Sequence, residues 1–125
     1  MSKFSILYKI TFHFLNFFII VLSIYPGSFL GCFVFNNCNY DPQITKDFII
    51  STNHFYAFSL LTFFGILTYQ NTSKSVLVIY YLIFISIFLE LIHLIIPIRA
   101  FQLEDLFGNL IGVILVYIIN IFLKK

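Results

Sequence analysis

Charge is what this sequence has least of. Of its 125 residues only seven are basic and five acidic, and the single arginine is Arg99. About a quarter of a soluble domain's residues are charged, so 10% charged against 61% hydrophobic excludes that class. Cysteine is almost as scarce, with Cys32 and Cys38 the only two. No serine or cysteine stands in the pattern of an activated nucleophile, which leaves a covalent mechanism little to start from. The A-x-A-like pattern of a signal-peptidase site is missing behind the first apolar stretch, so that stretch is expected to remain as a membrane helix. A net charge of +2 points to no nucleic-acid partner, and none is expected.

Apolar residues fill the space that charge vacates, 18 phenylalanines among them, and the mean hydropathy is +1.02. The length suffices for about four spans of roughly 20 residues and one longer loop. The expected fold is therefore all-α, an integral membrane four-helix bundle forming one domain over 1–125. Its helices are expected at about 8–25, 54–70, 75–96 and 105–123. Pro26 to Asn53, broken by Gly27, Gly31, Asp41, Pro42 and Asp47, reads as the loop, with Phe29 to Phe35 suited to lie along the membrane surface. Ser51, Thr52 and Asn53 are N-cap candidates for the second helix, while Pro97 and Arg99 stop the third. Tyr8, Tyr25, Tyr69 and Tyr117 fall near span ends, where an interfacial belt belongs.

The few polar residues fall on helical stripes. His13, Asn16, Ile20 and Ser23 share one face of the first helix, and His54, Ala57, Leu61 and Gly65 one face of the second. Ser86, Glu90, His93 and Pro97 line up on the third. Asp105, Asn109 and Gly112 do so on the fourth, where Gly108 and Gly112 also form a small-residue packing pair. Lys3, Lys9, Lys74, Lys124 and Lys125 collect on one side of a four-span arrangement, and Lys46 and Arg99 on the other. An excess of positive charge marks the cytoplasmic side, so both termini are expected there, with the long loop and the 97–104 turn facing outward. With a rise of about 1.5 Å per residue, Glu90 lies roughly 9 Å below Ile96 and Asn109 roughly 6 Å inside Asp105, so the two share a depth. A glutamate at that depth is a candidate functional residue by default. Glu90, Arg99 and Asp105 are expected to form one connected network, with His54 closing its side. Cys32 and Cys38, both in the outward loop, either form a bridge in an oxidising compartment or stay free.

Taken together these residues resemble the VanZ-like family, small polytopic membrane proteins named for a member associated with resistance to the glycopeptide teicoplanin. The resemblance rests on Ser23 and Pro26, on His54-Phe55, and on Glu90-x-x-His93-x-x-x-Pro97-x-Arg99-x-Phe101-x-x-x-Asp105-x-x-x-Asn109-x-x-Gly112. Two positions depart from it: relatives usually carry glutamine where His93 stands, and an Asp-Lys pair where this chain has Ile50 and Ser51. The resemblance implies a multi-pass protein of the cell membrane, in bacteria the inner membrane, and leaves the activity loosely defined.

The expected ligand set is His54, Glu90, His93, Arg99, Asp105 and Asn109. Arg99 suits phosphate by its planar fork, and Asp105 and Asn109 suit hydroxyl or amide groups. The leading function is binding of the head group of a lipid or lipid-linked sugar or phosphate precursor of the cell envelope. Two alternatives stand beside it. One is a membrane-embedded hydrolase or transferase, with His54, Glu90 and Asp105 as candidate catalytic groups. The other is a structural or assembly factor in which the cluster only fastens helices. Glu90-x-x-His93 has the i, i+3 spacing of bundle metal sites, and His54 and Asp105 supply further ligand types, but the glutamine of relatives at position 93 argues against one. No metal and no cofactor are expected, and the oligomeric state is left open.

Overall fold

A computed structural model describes residues 2–125, and among these every regular element is an α-helix. α1 spans Lys3–Ile24, α2 Phe29–Phe33, α3 Thr52–Tyr69, α4 Ser75–Ile92 and α5 Leu103–Leu123. By length and composition α1, α4 and α5 are apolar enough to cross a membrane. α3 is as long as α4 but more polar, carrying Asn53, His54, Ser59, Thr62 and Thr68.

Local chemistry sets the boundaries. Ser2 caps α1 by accepting from the Ser5 amide at 3.2 Å, and the helix ends where Pro26 follows Tyr25 and Gly27 turns the chain at φ +86°. α2 is a single turn capped by Ser28, whose hydroxyl accepts from the Gly31 amide at 3.0 Å. Cys32 in this turn and Cys38 beyond it are joined as a disulfide, and the Ser28 amide donates to the Cys38 carbonyl at 2.8 Å. The loop is then moored on the start of α3. Asp47 Oδ1 accepts from both the Thr52 amide and its hydroxyl, and the Asn53 side chain bonds the Ile44 amide and the Pro42 carbonyl. Ser51 occupies the N-cap position, but Asp47 serves the first-turn amide in place of a Ser51 side-chain bond.

α3 is the central helix, packed most extensively against α5 and then α1, with α4 closing the group against α3 and α5. The close approaches occur at glycines. A Cβ on Gly108 would lie 2.6 Å from the Ser51 carbonyl, and one on Gly112 2.8 Å from the Phe55 carbonyl, so α5 meets α3 backbone to backbone. The buried core is small: Phe12 from α1, Phe58 and Leu61 from α3, Leu82 and Leu89 from α4, and Val113 from α5 are its best-covered members. Larger side chains such as Phe17, Phe84, Phe88 and Ile119 point outward, the reverse of a water-soluble bundle.

The boundaries differ from the expected ones in instructive places. α1 begins at residue 3, five positions before the expected 8, because Ser2 provides a cap that the lysines had obscured. α4 stops at Ile92 and not at 96. Pro97 disfavours the helical region at Ile96, and residues 93 to 96 form looser turns, with the Leu94 and Ile95 amides donating three residues back. Ile98 then adopts φ +64°. Glu90 therefore sits in the last turn of α4, and the depth estimated from a helix running to 96 does not apply.

Candidate functional site

At the end of the bundle where α4 gives way to α5, polar side chains from three helices meet. α3 supplies His54 in its first turn, α4 supplies Ser86 and Glu90, and α5 supplies Asp105 and Asn109. One potential ligand atom from each of His54, Glu90 and Asp105 lies within 4.8 Å of the others. His54 Nε2 stands 3.5 Å from Asp105 Oδ2, and its Nδ1 stands 2.8 Å from Asn109 Oδ1. The Asn109 amide in turn donates to the Ser86 carbonyl at 3.1 Å. That chain of contacts ties α3, α5 and α4 through one asparagine that is 1% exposed.

Glu90 has no solvent exposure at all. Its Oε1 accepts from the Gln102 amide at 2.9 Å, and its Oε2 lies 3.3 Å from His93 Nδ1. His93 Nε2 reaches across to the Ser23 carbonyl of α1 at 3.0 Å. The Gln102 bond explains why a carboxylate is placed here: the amide belongs to the N-terminal end of α5, where orphaned N–H groups and the helix dipole favour negative charge.

Arg99 does not join this network, contrary to expectation. Its Nη2 donates to the Leu22 carbonyl at 2.7 Å and its Nε to the Tyr25 carbonyl at 3.2 Å. The last carbonyls of α1 have no partners within their own helix and lie at the negative end of its dipole, so they attract the guanidinium. The early end of α4 and the turn at Ile98 carry Arg99 toward α1 and away from Glu90. The expected site residues thus form two groups. His54, Glu90, His93, Asp105 and Asn109 are connected, and Arg99 is a clamp on α1 beside them.

Two crevices open on the cluster. One, of about 200 Å³, is largely polar, with Asp41, His93, Arg99, Gln102 and Asp105 in its wall. The other, of about 180 Å³, is largely apolar, with Ile19, Leu22, Leu30, Ala57 and Phe58 beside His54. Asp41 and Arg99 line both. Sequence reasoning took Asp41 for a loop breaker only. Its place follows from the Asn53 bond to the Pro42 carbonyl, a contact across eleven residues that no local spacing encodes. His13, midway along α1, sits 3.1 Å from the hydroxyl of Tyr69 at the C-terminal end of α3 and belongs to a separate contact between the two helices.

No family model matches the chain, and neither a curated protein nor a solved structure shows significant similarity to it.

Proposed function

We propose that this chain is a four-span protein of the cell membrane with both termini cytoplasmic, and that it holds the head group of a lipid or lipid-linked cell-envelope precursor at the outward end of its bundle. The observation that carries this reading is the pair of adjoining crevices. An apolar one beside Ala57 and Phe58 meets a polar one beside Asp105 and Gln102, with Asp41 and Arg99 common to both. That is the shape of an amphiphile, with a chain on one side and a head on the other. Arg99 keeps further N–H groups beyond the two given to α1, and guanidinium groups favour phosphate. The VanZ-like signature from Glu90 to Gly112 supports the same placement. α3 is counted as a span because it matches α4 in length and packs among the three apolar helices. The orientation rests on five lysines at one end of the bundle against Lys46 and Arg99 at the other.

The hydrolase or transferase alternative has less support. Each ring nitrogen of His54 and of His93 has a protein atom within 3.5 Å, so a substrate proton reaches neither ring without displacing a neighbouring side chain. Native mass spectrometry of protein purified in mild detergent tests the reading. A retained phospholipid or polyprenyl-phosphate adduct is expected, and Ala57→Trp, which fills the apolar crevice, is expected to remove it while the protein stays monodisperse. A wild-type protein without adduct, or an adduct untouched by both Ala57→Trp and Asp41→Ala, would leave only the structural role.

A further inference from the structure

The ring nitrogens of the cluster have their roles fixed from behind. The Ser86 carbonyl can only accept, so the Asn109 amide turns its Nδ2 toward it and leaves Oδ1 facing His54 Nδ1. Nδ1 therefore carries the hydrogen. In the neutral ring the other nitrogen, Nε2, presents a lone pair to Asp105 Oδ2 at 3.5 Å, and no hydrogen lies between the two electron-rich atoms. The arrangement recurs at the end of α4. The Ser23 carbonyl holds the hydrogen of His93 on Nε2, so the Nδ1 lone pair faces Glu90 Oε2, and neither of these two buried atoms has a hydrogen-bond partner. With both rings neutral, a Glu90 carboxylate that has no solvent exposure and one amide donor has no positive charge beside it.

We propose that His54, Glu90 and Asp105 together bind one divalent transition-metal ion of the zinc type. Around a tetrahedral ion with bonds of about 2.0–2.2 Å, ligand atoms stand roughly 3.4 Å apart. The His54–Asp105 separation of 3.5 Å already has that span. The three ligand atoms lie within 4.8 Å of one another, so the widest pair closes by no more than about 1.4 Å on binding. Two carboxylates neutralise a dication, and one imidazole with two carboxylates is the borderline donor set that zinc and manganese accept. Asn109 is the hydrogen-bonded partner behind the imidazole that metal-bound histidines carry, and it holds the ring with Nε2 forward. Asp105 lines the polar crevice and His54 the apolar one, with Glu90 buried behind them. A fourth coordination position therefore opens toward the crevices. The assignment stands independently of the head-group reading, since it needs only the three side chains.

The test uses the full chain in detergent, stripped with a chelator and titrated with Zn²⁺, with metal content measured by mass spectrometry after gel filtration. One zinc per chain is expected, together with a zinc-dependent rise in the thermal midpoint. Asp105→Asn and His54→Ala are each expected to weaken binding at least 10-fold, whereas His13→Ala, which removes an imidazole midway along α1 and outside the cluster, leaves it unchanged. Where a ligand variant fails to purify as one species, Asn109→Ala takes its place, with an expected weakening of about 10-fold. The proposal is overturned if the wild type takes up no zinc. It is overturned equally if the cluster variants bind zinc as the wild type does.

Discussion

Ile98 holds φ at +64°, a region that a β-branched side chain resists at a cost of roughly 1–2 kcal/mol. The strain turns the chain so that Arg99, the next residue, meets the Leu22 and Tyr25 carbonyls. Asparagine enters this region far more readily, and Ile98 is 62% exposed, so little packing is lost on replacing it. Ile98→Asn is expected to stabilise the protein by about 1 kcal/mol, read as a higher thermal midpoint in detergent. A lower midpoint would mean that the Ile98 contact with the Gly27 turn outweighs the strain. The sequence marked Arg99 as special because it is the sole arginine in apolar surroundings, yet gave no hint of its partner. Helix carbonyls have no signature in the spelling, so a carboxylate two turns away looked like the natural mate.

Among the elements, the α3–α5 seam is where a small change in side-chain volume has the largest effect. A methyl group on Gly108 meets the backbone of Ser51, which cannot move without shifting the start of α3, whereas one on Gly65 meets the Phe12 ring and a Val78 methyl. Gly108→Ala is accordingly expected to cost about 1–3 kcal/mol and Gly65→Ala less, in unfolding measured by thermal melting in detergent. Equal losses at the two sites would show that the Phe12 ring, 3% exposed, is as rigid as backbone. Much of this was readable in advance. The spacing of Gly108 and Gly112, of Ser86, Glu90 and His93, and of His54, Leu61 and Gly65 put the right residues on the inner faces, since helical periodicity is a property of the sequence itself. Two features were readable only in part. The run Phe29 to Phe35 stood out as a segment suited to the membrane surface, but α2 within it is one turn long, below the length at which periodicity shows a helix. Pro97 marked a stop, but the end of α4 was fixed by looser turns ahead of it.

At the scale of the whole molecule the chain is apolar on the outside and polar at one end of the inside. In the proposed orientation that end faces away from the cytoplasm. In a Cys32→Ser, Cys38→Ser background, Gln43→Cys is expected to react with an impermeant maleimide on intact cells, and Lys125→Cys only after the membrane is opened. Labelling of position 125 from outside would reverse the orientation and with it the access of any extracellular ligand. The latches on α1 bear on how the chain is made. His93 bonds Ser23 across 70 positions, and Arg99 bonds Tyr25 and Leu22 across 74 and 77. The ribosome therefore delivers the first helix long before the residues that fasten its far end. During that interval Phe12 can already settle against Gly65, but Leu22, Ser23 and Tyr25 wait with open carbonyls in the translocon or at the lipid interface. A nascent chain stalled before residue 93 leaves the first helix hinged at one end, and the crevice walls on Ile19 and Leu22 close only when the last quarter of the protein is being synthesised.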